Sequence, residues 1–245
     1  MILGSVASVC GRFNLRTDAA SLVQMFLPAL DASDVPPLEP RYNIAPTQSV
    51  AAITGGDRQD RSLRFFRWGL VPPWADSLTI GNRMINARSE TVAEKRSFQK
   101  PFAARRCLIP ASGYYEWLKL EDGGKQPIHI HRPDDGLLAM AGLWEENRKA
   151  DPEGKPVFTC TILTTPANKQ TAEIHDRMPV FVKPNDLDAW LDDDSPTDRL
   201  LELCRPLEGV ELECTPVSTK VNRPGYDGPE CLDEVRLSTQ PDLFE

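Results

Sequence analysis

Histidine is scarce in this chain, with three in 245 residues, and the six cysteines form no CxxC pair. The cysteines, at 10, 107, 160, 204, 214 and 231, match neither zinc-ligand spacing nor a secreted disulfide framework. No metal or other cofactor is therefore expected. His129-Ile130-His131 places two imidazoles on one strand face, but no further ligands accompany them. No apolar run reaches the ~20 residues of a transmembrane helix. Met1 to Val9 has no basic n-region and too short an apolar stretch for a secretory signal. A cytoplasmic protein without membrane contact is the expectation. There is no internal repeat, and a net charge of −8 argues against blanket affinity for nucleic acid.

That charge is unevenly spread. Through Arg106 there are 14 Lys and Arg against 9 Asp and Glu, while from Cys107 onward there are 14 against 27. A basic face built from the first half is compatible with the acidic total.

The 22 prolines and 15 glycines favour many turns and short elements. Asp18 is placed to cap a helix bearing Leu22, Met25 and Phe26. Ser49–Thr54 and Leu63–Trp68 read as strands around a Gly55-Gly56-Asp57 turn. Further strands are expected at 106–109, 113–118, 128–131, 138–143, 158–164, 174–182 and 212–217. Short helices are expected at 89–97, from Pro166 towards Glu173, from a cap at Asn185 through Leu191, and at 196–204. Short strands dominate and no clean linker interrupts them. The expected fold is one α+β domain with a mixed β-sheet or open-barrel core and a few peripheral helices. It would span residues 10–235, between an amino-terminal extension (1–9) and a flexible tail (236–245).

Cys10 opens the string Cys10-Gly11-Arg12-Phe13. Internal, it reads as a small buried hydrophobe. Val9 precedes it, however, and a valine codon can serve as a bacterial start. Translation from there, followed by trimming of the initiator, would leave cysteine with a free α-amine. That amine titrates near ~8 and the thiol near ~8.5, so the pair forms a 1,2-aminothiol able to condense with aldehydes. Self-cleavage or another peptidase would expose the same group.

Five further strings follow in order. They are Tyr42-Asn43-Ile44-Ala45-Pro46, Trp68-Gly69-Leu70-Val71-Pro72, Ile85-Asn86-Ala87-Arg88-Ser89-Glu90-Thr91, Gly113-Tyr114-Tyr115-Glu116-Trp117 and Ile174-His175-Asp176-Arg177-Met178-Pro179. With the Cys10 string they resemble the SRAP family, the SOS-response-associated peptidases understood as abasic-site processing proteins. The resemblance runs from about residue 10 to 222. It implies that an amino-terminal cysteine traps abasic sites in single-stranded DNA as a thiazolidine crosslink. On that reading Cys10 is the double nucleophile and Glu116 the proton shuttle. His175 would assist sugar-ring opening, and Asn86 would hold the amine or a sugar oxygen. Arg12, Arg88 and Arg177 would clamp phosphates. Trp74 and Trp117 would stack on bases, and Asn43 and Pro46 would shape the loop where the strand bends. Family members often carry two adjacent aromatics near Trp74. Here Ala75 follows, which implies a thinner wedge.

Two other functions remain open on the sequence. Cys10, Glu116 and His175 can be drawn as a thiol peptidase, best supported as self-removal of the leader. Alternatively the protein is a non-covalent single-strand scaffold. A lyase side reaction would follow from any imine that persists. The tail string Gln240-Pro241-Asp242-Leu243-Phe244 resembles the peptide by which bacterial repair proteins bind the sliding clamp, with Gln240, Leu243 and Phe244 as anchors.

Overall fold

The computed structural model describes residues 10–56 and 58–236. The tail anchors and Asp57 of the expected glycine turn lie outside the described residues. Twelve strands and four short α-helices are assigned among the described residues. In chain order they are β1 (Arg12–Leu15), α1 (Ala19–Phe26), β2 (Arg41–Ile44), β3 (Ser49–Thr54), β4 (Ser62–Trp68), β5 (Asn86–Arg88), α2 (Gln99–Ala104), β6 (Arg106–Ala111), β7 (Gly113–Lys119), β8 (Lys125–His131), β9 (Leu138–Asn147), β10 (Val157–Pro166), β11 (Arg177–Pro179), α3 (Leu187–Leu191), α4 (Thr197–Leu203) and β12 (Glu213–Pro216).

The strands form two sheets. One runs β12-β8-β7-β1-β2, all antiparallel. In the other, β10, β4, β3, β6 and β9 follow one another, and β9 pairs back onto β10. The expected barrel is thus closed rather than open. It is also mixed, because β4 and β5 run parallel to β10. Closure through β9 and β10 satisfies both edges of the ring, which removes the exposed-edge liability of an open sheet.

Side chains alternate across each strand, so every barrel strand faces two ways. Cys107, Ile109, Met140, Cys160 and Ile162 join Phe13, Tyr114, Ile130 and Cys10 in one core cluster. Leu108, Ala141, Leu143 and Leu163 pack on the other face beneath Leu22, Phe26, Phe102, Trp190 and Leu200 of the helices. The helices are therefore a shell on one side. Cys10 belongs to the core between the two sheets.

Several boundaries differ from expectation, each for a physical reason. Asp18 caps α1 through Ser21 N as foreseen, at 2.7 Å. The 89–97 segment holds only a 3-10 turn (Ser89–Thr91) and further turns. Its buried apolar anchor is Val92, and Lys95 and Arg96 occupy the positions that would extend a stripe. The helix comes later, as α2, where Phe102 meets the Trp190 ring at 6.1 Å. No helix follows Pro166, because Asn168 Oδ1 instead caps the backbone of Gln170 and Thr171. The cap residue of α3 is Asp186, not Asn185, behind a Pro184–Asp186 3-10 turn. In the 174–182 segment Arg177–Pro179 pairs with β10 and Phe181 bridges Met140 of β9, while 174–176 turns to present His175.

The Trp68-Gly69 string has a geometric basis. Gly69 has φ +121, and a Cβ there would meet the Gly81 carbonyl oxygen at 2.6 Å. Only glycine lets these two backbones approach, and Gly69 N bonds Cys160 O at 2.8 Å across to β10.

Candidate active site

Cys10 and Glu116 meet although 106 residues separate them in sequence. The Cys10 backbone nitrogen donates to Glu116 Oε1 at 2.6 Å. Both residues are 2 % exposed. β7 directs Tyr114 and Glu116 to one face and Tyr115 and Trp117 to the other. The first pair faces Cys10 and the core cluster.

Burial raises the Glu116 carboxyl to about 7 despite the opposing hydrogen bonds from Cys10, with Asp176 adding to the rise. Burial also pushes the Cys10 thiol well up, and Glu116 adds to it, while Arg177 pulls the other way. The thiol is therefore an S–H group in this environment. Cys10 has φ +44, in the left-handed region that costs a non-glycine residue about 1–2 kcal/mol.

His175, Asp176 and Arg177 form the turn entering β11, and the charges of Asp176 and Arg177 reach the Cys10–Glu116 pair. Arg177 N donates to His175 Nδ1 at 3.0 Å, which leaves the ring proton on Nε2. The same Nδ1 lies 2.9 Å from Asp176 Oδ1. Two acceptors do not bond, so that contact becomes an ion pair only on protonation of the ring.

The Arg177 guanidinium is held through its two terminal nitrogens, while its Nε is buried without a partner among the described residues. Nη1 and Nη2 grip the two oxygens of Glu90, the latter at 2.9 Å, and Nη2 also donates to Thr164 O at 2.7 Å. Asn86 starts β5 opposite Ile162 of β10, and Arg88, two residues on, is exposed.

Arg12 lies opposite Tyr115 on the other face of the sheet from Glu116. Its Nη1 donates to Asn43 Oδ1 at 2.9 Å and Val221 O at 2.6 Å, with the guanidinium 6.0 Å from the Trp117 ring. Trp117 in turn donates from Nε1 to Asn222 Oδ1 at 2.7 Å. Asn43 is 0 % exposed, and its Nδ2 is within hydrogen-bond distance of Val221 O, Arg223 O and Tyr226 O. Fully buried, Asn43 holds the 221–226 loop through these bonds rather than presenting a surface of its own. Pro46 sits at the second position of a turn closed by Gln48 N to Ala45 O, with Thr47 at φ +74. Trp74 is 43 % exposed, with Arg96 stacked over it at 5.5 Å.

Sequence reasoning assigned no role to Glu90, Thr164 or Asp227. Glu90 lies inside a quoted string, two residues after Arg88. Asp227 accepts from Tyr42 N and Asn43 N at 2.7 and 2.6 Å, which fixes β2, and no local pattern announces it. His129 and His131 stack at 4.5 Å, and no cluster of three metal-ligating residues exists among the described residues.

The site is thus a buried thiol, backbone nitrogen and raised-pKa carboxyl set between a closed mixed barrel and a flanking antiparallel sheet. The chain belongs to the SOS response associated peptidase (SRAP) family, whose family model matches residues 9–224. It is 39% identical to "Abasic site processing protein YoqW" of Bacillus subtilis (strain 168), covering 92% of this chain and 99% of that one. It is 32% identical to "Abasic site processing protein HMCES" of Gallus gallus, over 83% of this chain and 69% of that protein. A crystal structure from Bacteroides thetaiotaomicron shares the fold, with a TM-score of 0.81 at 24% identity, covering 93% of this chain and 100% of that chain.

Proposed function

We propose that this protein processes abasic sites in single-stranded DNA by forming a thiazolidine crosslink through Cys10 as the first residue. The observation that carries the proposal is the 2.6 Å approach of the Cys10 nitrogen to a carboxyl raised to about 7. The kinship with proteins named for abasic-site processing supports the substrate.

Once Cys10 is terminal, its nitrogen is an α-amine beside Glu116. In a site this buried, separating the charges as ammonium and carboxylate is costly, so the neutral amine and carboxylic acid are favoured. That state supplies the nucleophile and the general acid together. The amine attacks the ring-opened C1′ aldehyde to give a carbinolamine. Glu116 protonates its hydroxyl, water leaves and the imine forms. The thiol then adds to the imine carbon, and its proton passes to the ring nitrogen through Glu116. Aldehyde and aminothiol give thiazolidine and one water. His175, with its proton on Nε2, serves the ring-opening step, and Asn86 holds a sugar oxygen. Arg88, which is exposed, and Arg177 receive phosphates, and Trp74 stacks on a base.

Loss of the leader also has a local basis. The φ of Cys10 exists only while a residue precedes it, so removal of Val9 abolishes the +44° torsion. That strain relief supports self-processing at the bond before Cys10. The tail string ending at Phe244 would add a docking peptide for a sliding clamp.

The test is crosslinking of a single-stranded oligonucleotide carrying one abasic site, resolved on a denaturing gel. The parent is expected to shift the DNA and Cys10→Ala is expected not to. A Cys10→Ala protein that still yields the covalent band would refute the proposal. A non-covalent scaffold would bind equally well in both forms and give no band in either.

A further inference from the structure

The Arg177 fork already holds an anion of its own chain. Glu90 meets it with both carboxylate oxygens, the two-pronged geometry in which a guanidinium takes a phosphodiester. The two partners are unequally placed. The Arg177 side chain is 12 % exposed and is anchored from behind by the Thr164 carbonyl and hydroxyl. The Glu90 side chain is 45 % exposed and sits on a 3-10 turn. If either group moves, it is the carboxylate. Ser89 Oγ also donates to Glu90 Oε2, at 3.4 Å.

We propose that Glu90 is an internal stand-in for a DNA phosphate, and that a single strand binds by replacing it on the Arg177 fork. The inference rests on the DNA-binding reading above and adds an exchange step to it. In the free protein Glu90 neutralises a cation beside the Cys10–Glu116 pair, whose own thiol responds to Arg177. In the bound protein the phosphodiester takes over that neutralisation, so the charge facing the cysteine stays constant while the ligand changes. The displaced carboxylate, now near a phosphate, opposes the strand. Glu90 therefore weakens binding to any phosphodiester and makes the fork selective for strands that are held by further contacts.

The test uses an undamaged oligonucleotide, which offers no aldehyde, and reads affinity by fluorescence anisotropy. Glu90→Gln is expected to bind about three- to tenfold more tightly than the parent, as loss of a partly exposed ion pair implies. In an Arg177→Gln background that gain is expected to vanish. Unchanged or weaker binding by Glu90→Gln would overturn the exchange, as would a gain that survives without Arg177. A measurement on the parent covers the case in which the variant fails to fold. The Arg177 Nε–H resonance is expected to shift on addition of the oligonucleotide, and a stationary signal under saturating strand would mean that Glu90 never lets go. A parent that binds no single strand at all would instead remove the DNA reading beneath the inference.

Discussion

Replacing Glu116 by glutamine tests whether the carboxyl beside Cys10 is held protonated by burial. Its folded value is about 7 against an ordinary 4.5. The folded state then binds more protons than the unfolded state between those limits, so stability falls as pH rises. The contribution is fully present below about 4.5 and is lost as pH climbs through about 7. A difference of that size corresponds to about 3 kcal/mol at ~1.4 kcal/mol per pH unit. Glutamine fills the same space and keeps an oxygen to accept from the Cys10 nitrogen, but it does not titrate. The assay is urea denaturation of the chain that retains Met1–Val9, at pH 4 and pH 8, for parent and Glu116→Gln. The parent is expected to lose about 3 kcal/mol more than the variant between the two pH values. All other titrating groups cancel in the comparison. Equal losses would refute the claim that burial governs this carboxyl, and with it the general-acid role.

Three more outcomes follow from single residues. Asn43→Ala removes the Nδ2 bonds to the 221–226 loop and the partner of Arg12. Thermal unfolding should move down by roughly 6–12 °C, for about 3 kcal/mol lost. Thr47→Gly relieves a β-branched residue at φ +74 and should raise stability by about 0.5–1 kcal/mol, read by the same melting curve. Cys10→Ser keeps the amine but closes no thiazolidine, so the imine persists. It should nick abasic DNA more than the parent does, and equal nicking would reverse the assumed order of imine and ring closure.

Clamp docking is checked separately, by pull-down with residues 240–245 deleted. Binding to the clamp should disappear, and unchanged capture would dismiss the tail as its cause.

The long barrel strands were legible in sequence because, buried on both faces, they are near-continuous apolar runs bounded by turn residues. Val50 to Ile53, Cys107 to Ile109 and Leu138 to Ala141 are buried at every position, and each run announces its own burial locally. Three of the short strands were not. β1, β2 and β5 have four, four and three residues, too few for a period, and they exist through partners far away in sequence. Asp227 pins β2 from 184 or more residues off. Barrel closure was hidden for the same reason, since it depends on register between β9 and β10 and not on either strand's composition.

The site divides in the same way. Cys10, Glu116 and His175 were nameable from the family resemblance that their strings carry. The structure joins Cys10 to Glu116 by a direct bond and brings the His175 turn up to them. Which arginines face that pair was not legible. Arg12 and Arg177 look equivalent as neighbours of proposed catalytic residues. Strand alternation sends Arg12 to the opposite face with Trp117, and Arg177 remains beside the cysteine in the grip of Glu90.

Intact mass spectrometry of protein isolated from cells, before and after exposure to abasic single-stranded DNA, bears most directly on the aminothiol claim. The expected species starts at Cys10 and gains the mass of the oligonucleotide less one water. Protein that still carries Met1–Val9 and nevertheless forms the adduct in full would contradict it.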